Sequence, residues 1–137
     1  MKKPRNLTNE EIMIKVDNCT ETEVTLVLYT KPATIMEMMD ETYGAENWQA
    51  EHTIVSKGNG QVAMLCKISV YDDKHNRWIA RSDAGEPVGL GNHADKSQAT
   101  DALKRACALF GVAKELKTLP EAIICRTFEP ALDEAGN

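Results

Sequence analysis

Residues 97–111 read Ser97-Gln98-Ala99-Thr100-Asp101-Ala102-Leu103-Lys104-Arg105-Ala106-Cys107-Ala108-Leu109-Phe110-Gly111. Ala99, Ala102, Leu103, Ala106, Cys107 and Phe110 fall at i, i+3, i+4, i+7, i+8 and i+11, which places them on one continuous stripe of an α-helix. Gly111 stands where a C-cap belongs. A helix with one apolar stripe must lie on something, and the chain before it changes period from 3.6 to two.

Working back from that helix, a glycine-rich connector (Gly85 to Gly91) follows a strand over Arg77 to Ser82, and Asp72 to Asn76 form the preceding turn. Gln61 to Tyr71 puts Val62, Met64, Cys66, Ile68 and Val70 on one face and Lys67 and Ser69 on the other. Before the Lys57-Gly58-Asn59-Gly60 turn, Trp48 to Val55 alternates in the same way, so the three strands form an antiparallel meander. In the third strand the reading places Trp78 and Ala80 inward, with Arg77, Ile79 and Arg81 on the opposite face. Upstream, Thr34 is a candidate cap for a short helix through Ile35, Met36, Met38, Met39 and Tyr43 that ends at Gly44, and Glu23 to Thr30 is a strand stopped by Pro32. Ala122 to Cys125 can add one more strand, and Glu129 to Asn137 reads as a frayed tail. The expected fold is α+β in the order β-α-β-β-β-α, a three- to four-stranded antiparallel sheet covered by the 97–111 helix. It forms a single domain over residues 1–120, with a partly flexible extension over 121–137.

At 137 residues, 42% hydrophobic and 27% charged, the chain has one domain's worth of ordinary globular sequence and needs neither disulfides nor metal for a core. No apolar run reaches the roughly 18 residues of a membrane span, and the start is polar, so a cytoplasmic protein is expected. Cys19, Cys66, Cys107 and Cys125 are far apart and lack zinc spacing, which reads as reduced, mostly buried thiols. A net charge of −5 weighs mildly against nucleic acid. The distribution weighs the other way, since residues 52–117 hold 10 basic against 7 acidic side chains while both flanks are acidic.

Few residues suggest covalent chemistry. The glycine-rich connector fits neither phosphate-loop pattern, His52, His75 and His93 share no face, and Asp72-Asp73 is turn chemistry. No catalytic residue, metal site or cofactor is expected. Lys104 and Arg105 flank the apolar stripe, with Lys96 two turns earlier. Asp101, at i−3 and i−4 from them, can neutralise either one, and spacing alone slightly favours that local pairing. The other reading gathers Lys104, Arg105 and Lys96 with Lys67, Arg77 and Arg81 into a groove that tracks a phosphate backbone. Trp48 and Trp78 are assigned to the core rather than to base stacking.

Three segments resemble one family. Thr42-Tyr43-Gly44-Ala45-Glu46-Asn47-Trp48 is similar to its aromatic-glycine helix end followed by tryptophan, and Ser82-Asp83-Ala84-Gly85 to its Asp-x-Gly after the third strand. Ser97 to Ala106 followed by Phe110-Gly111 resembles the signature helix of the Rad-fifty-two-like single-strand annealing proteins, the short phage type being the better comparison. The resemblance covers roughly Ile35 to Leu119. It implies an ATP-independent protein without cofactors that forms homo-oligomeric rings, binds single-stranded DNA in a groove and anneals complementary strands in recombination and repair. A single-strand-binding protein or other recombination proteins are the further partners it implies. The family's Lys-Arg pair, which contacts the DNA backbone, falls on Lys104 and Arg105; its basic contact before the first helix has no clear counterpart, Lys31 being near.

Two other readings compete. A double-stranded RNA-binding domain shares the α-β-β-β-α order, but would want a lysine cluster where this chain has only Lys96 among Asn92-His93-Ala94-Asp95. An oligomeric scaffold would use Lys104 and Arg105 only to pair with a neighbouring subunit.

Overall fold

The computed structural model describes residues 2–58, 60–85, 94–118 and 123–126. After a short 3₁₀ turn, the strands β1 (Met13–Cys19) and β2 (Val24–Tyr29) lead to helix α1 (Pro32–Tyr43). Then come β3 (Trp48–Gly58), β4 (Gln61–Asp72), β5 (Arg77–Gly85), the long helix α2 (Ala94–Ala108), a one-turn α3 (Glu115–Thr118) and β6 (Ile123–Cys125). The architecture is α+β, as the sequence implies, with the order β3-β4-β5 in the antiparallel meander. The other strands form a second antiparallel sheet of their own, β1-β2-β6, rather than a fourth strand on the first.

Strand β1 is the element that the sequence reading leaves out. Thr20 makes the turn that returns it onto β2: its hydroxyl accepts from the Glu23 N–H at 2.9 Å, and its own N–H donates to the Glu23 carbonyl at 2.8 Å. The expected strand after Leu119-Pro120 is present as β6, paired on β2 with Leu26 opposite Ile123. Residues 127–137, with the expected frayed tail, lie outside the described residues, as do residues 86–93 of the glycine-rich connector.

Proline 32 does more than end a strand. It occupies the first turn of α1, where its missing N–H costs nothing and its fixed φ suits the helix, so Lys31 rather than Thr34 is the N-cap. At the other end Gly44 turns the chain at φ 92° and its N–H closes on the Asp40 carbonyl at 2.9 Å. In front of α1, Arg5 forks onto Glu11 at 2.8 and 2.9 Å and reaches Glu41 at 2.8 Å, tying the N-terminal segment to the helix.

The core lies between the meander and the two longer helices. Ile35, Met38, Met39 and Tyr43 of α1 meet Cys66, Ile68 and Val70 of β4 and Ala102, Leu103, Ala106 and Cys107 of α2, with Phe110 and Val112 closing the end. Full burial of each larger apolar side chain contributes about 1.5–3 kcal/mol. Cys66 and Cys107 are buried within it, and burial raises their thiols to about 11 and about 12, so both are unreactive at neutral pH. Cys125 is half-buried and Cys19 is exposed.

Helix α2 rides unusually close to the sheet because small residues meet there. A Cβ on Gly85 would stand 2.1 Å from the Gln98 carbonyl oxygen and 2.7 Å from the Ala102 nitrogen. The buried Gln98 side chain donates back to the Gly85 carbonyl at 3.1 Å, which leaves no polar group stranded in the contact. From the other edge, His52 Nε2 donates to the Ala99 carbonyl at 3.0 Å.

Register corrects the faces read for the third strand. Val70 lies opposite Ile79, Ile68 opposite Arg81 and Met64 opposite Gly85, so Ile79 and Arg81 share the helix-covered face. Trp78 points outward with Tyr71, their rings 5.4 Å apart, and is 50% exposed. Trp48 does pack on the core, its indole donating to Asp40 at 2.7 Å. Among the described residues no helix is long and apolar enough to cross a membrane.

Candidate nucleic-acid interface

The seam between α2 and the β1-β2-β6 sheet gathers positive charge. Met13 pairs with Tyr29 and Lys15 with Val27, so Lys15 and Tyr29 are diagonal neighbours on one sheet face. Lys15 Nζ lies 5.6 Å from the centre of the Tyr29 ring, and Lys104 Nζ, arriving from α2, lies 5.7 Å from the same centre. Two ammonium groups therefore converge on one aromatic ring, whose electron-rich face partly offsets their repulsion.

Lys104 is half-buried. Its ammonium is held below the ordinary lysine range, first by burial and further by Lys15, with Asp101 acting in the opposite sense. Arg105, one residue on, is more open and pairs with Asp101 through Nε at 2.8 Å. Beyond them an open recess of about 150 Å³ is lined by Thr30, Lys104, Arg105 and Lys117 together with apolar groups that include Ile35 and Val112. An anion entering this seam is attracted by several cations and relieves the mutual repulsion of two of them. Among the described residues no group of three His, Cys, Asp or Glu side chains could hold a metal.

The depressed Lys104 ammonium gives a direct expectation. In the free protein it should lose its proton below the ordinary lysine range, and the ε-carbon resonance of Lys104 in isotope-labelled protein reports this. A bound phosphate favours the charged form, so anion affinity should fall as pH rises through the lowered Lys104 value and stay flat below it. Stability should move the other way over that window, because the unfolded chain holds this proton to higher pH than the folded one. Lys104→Arg should remove both dependences; a Lys104 signal that titrates in the ordinary lysine range contradicts the burial argument.

The structure does not bring the cations read from the sequence onto one surface. Lys104 and Arg105 are together on the seam, although the local pairing expected for Asp101 is real for Arg105. Lys67 does not share a face with Arg77 and Arg81, which keep one parity on the helix-covered side: Lys67 lies opposite Glu51 and Ser82 on the outer side of the meander, the parity that leaves it uncovered by α2. Arg77 stands 3.8 Å from Asp72, whose buried carboxylate also takes His75 Nδ1 at 2.8 Å. Arg81 is engaged under the end of α2. Lys96 is in the first turn of α2, its side chain outside the described residues.

Lys15 is the cation that the sequence reading missed. Ile14-Lys15-Val16 alternates as a strand should, and that was the available signal. Its meeting with Lys104 depends on the pairing of a hairpin and the docking of a helix nearly ninety residues away.

No curated protein sequence matches the chain. A family model does, that of the Rad52/22 family double-strand break repair protein, over residues 4–121, a span from the N-terminal segment pinned by Arg5 to beyond α3. The match covers both cationic elements of the seam, β1 with Lys15 and α2 with Lys104 and Arg105, together with the Gly85 contact that seats α2. The chain belongs to the Rad52/22 family of double-strand break repair proteins.

Proposed function

We propose that this protein binds single-stranded DNA along the Lys15–Lys104–Arg105 seam and anneals complementary strands as a homo-oligomeric ring, with no covalent step and no ATP. The observation that carries the reading is the convergence of Lys15 and Lys104 on the Tyr29 ring beside Arg105. A half-buried Lys104 beside the exposed Lys15 and Arg105 sets three cations close together, which is what a site for polyanions requires. Held by its phosphates, a strand keeps its bases free to test pairing, and neutralised phosphates no longer repel the incoming complement.

Assembly is supported by a sheet face that none of the described residues covers. Ile14 opposes Leu28, and Val16 opposes Leu26, which opposes Ile123, so these residues form one apolar surface on the side away from Lys15. Ile14 is 59% and Val16 60% exposed. A second copy of the chain is the occupant this reading assigns, and repetition of that contact would bring the seams of successive subunits into one path for DNA.

The test is binding and annealing of labelled oligonucleotides without nucleotide cofactor, with duplex RNA as a control, alongside sedimentation of the same preparation. Salt-sensitive binding to single strands by a large oligomer is expected, and Ile14→Glu/Val16→Glu should leave monomers. A monomer up to high micromolar concentration would remove the ring. A preference for duplex RNA would replace the annealing reading with the RNA-binding one.

A further inference from the structure

Arg81 reaches from β5 to the end of α2. Its Nη1 donates to the carbonyl of Leu109, the residue just beyond the last helical residue Ala108, and its guanidinium lies 4.9 Å over the Phe110 ring. Phe110 in turn meets Tyr43 of α1 edge-on, with centroids 6.3 Å apart and planes at 72°. One cation therefore joins β5, the end of α2 and, through Phe110, the end of α1. The partner is chemically suited, since carbonyls at a helix C-terminus lack intrahelical partners and carry partial negative charge.

This end of the helix is otherwise a sharp stop. Gly111 turns the chain at φ 97°, and the Val112 N–H returns to the Cys107 carbonyl at 3.2 Å. Leu109 lies five residues after Lys104, roughly 7.5 Å along a helix axis. A shift of the helix end therefore passes directly into the position of the Lys104 side chain. Gly85 and Gln98 fix the opposite half of α2 against the sheet. Arg81 supplies the second point, and two points fix both axial height and tilt.

We propose that Arg81 is a positioning residue for the cationic seam, holding α2 at the height where Lys104 meets Lys15 over Tyr29, and that it does not itself bind DNA. This builds on the single-strand binding reading above. It also separates two roles that the positive charge of the residue makes look alike. A phosphate contact contributes its own counterion release to the salt dependence, whereas a positioning residue acts only through the contacts it places.

The experiment is a double-mutant cycle on the assembled protein. Arg81→Ala should weaken single-strand binding about tenfold in the wild-type background and less than about twofold in Lys104→Ala/Arg105→Ala, because residues acting through one another are not additive. In the Lys104→Ala/Arg105→Ala background the slope of log affinity against log salt should be unchanged by Arg81→Ala, because the contacts it places are already gone. Arg81→Lys, which keeps a donor for the carbonyl and a cation for the ring, should recover most of the affinity. Equal losses in both backgrounds, with the slope reduced by about 0.7, would make Arg81 a direct phosphate contact and overturn the proposal. The Lys104 ε-carbon resonance of the free protein is the readout that needs no DNA. If the wild type binds no oligonucleotide, the DNA reading falls, yet a Lys104 resonance moved by Arg81→Ala and restored by Arg81→Lys still supports the positioning role. A resonance that stays in place overturns it.

Discussion

Gly85→Ala should lower the melting temperature of the protein by roughly 10 °C or more, the largest loss expected from adding a single carbon atom to this chain. The backbone of Gly85 is in an ordinary conformation, so the argument is one of space alone. The new Cβ would sit 2.1 Å from the Gln98 carbonyl oxygen and 2.7 Å from the Ala102 nitrogen, both backbone atoms of α2, so no side-chain rotation relieves the overlap. The helix would have to move off the sheet by an ångström or more. Ala102, Ala106 and Cys107 are completely buried in that interface, and opening it costs them contacts as well as the Gln98 hydrogen bond. Overpacking against a rigid backbone costs about 3 kcal/mol or more, a large share of the roughly 5–15 kcal/mol that holds a domain folded. Gly58→Ala provides the comparison. Gly58 has φ 83° but open space around its Cβ position, so that change should cost only the left-handed penalty of about 1 kcal/mol. Thermal melts followed by circular dichroism decide the matter, and a Gly85→Ala protein that melts within about 2 °C of wild type would mean that α2 is not seated as described.

That glycine shows what a sequence can and cannot disclose about this fold. The α2 stripe and the period-two strands were legible because each is a local pattern produced by one packing surface. The reason for Gly85 was not, since its neighbours Gln98 and Ala102 lie across a helix–sheet contact. Strand β5 was misread for a different reason. Trp78 and Ile79 are both apolar, and putting the larger one inside is the natural choice. Parity is set instead by the turn: Asp72 pairs with Arg77, and Asn76 in the left-handed region at φ 51° closes the loop, which sends Trp78 outward with Tyr71 and puts Arg81 on the side of α2, where its exposed side chain reaches the helix end. A one-residue change of parity moves every side chain to the other face, so Lys67 was separated at once from Arg77 and Arg81. Lys104 and Arg105 survived because they are adjacent on a helix whose buried side was already certain. Lys15 was lost because its strand sits in an acidic, threonine-rich segment and contributes to the site only through the second sheet.

Lys104→Ala/Arg105→Ala should leave fold and assembly intact while cutting single-strand affinity by one to two orders of magnitude, on the basis of about 1.5–3 kcal/mol for each charged contact less what neighbouring cations recover. Neither side chain holds the structure together. Arg105 is 45% exposed on its side chain and its bond to Asp101 is a surface helix pair worth about 0.3–0.5 kcal/mol. Lys104 is a half-buried cation facing Lys15, so removing its charge relieves repulsion, and the double variant should melt at the wild-type temperature within a few degrees. The loss of binding should be the same for every sequence, because phosphates carry no base identity. Each lost phosphate contact should reduce the magnitude of the salt slope by about 0.7, hence by about 1.4 for the pair and about 0.7 for Lys15→Ala. Lys67→Ala, on the outer face of the meander, should leave the slope where it was. This pattern separates the seam from a general effect of net charge, which would make Lys67 as costly as Lys15. If Lys104 and Arg105 served only to pair with neighbouring acidic groups, the order of effects would reverse: the double variant would lose stability or dissociate first, and any binding defect would follow from that. Melting temperature, sedimentation and oligonucleotide affinity measured on one preparation distinguish these outcomes, and wild-type affinity in a fully assembled double variant would end the assignment of this seam to DNA.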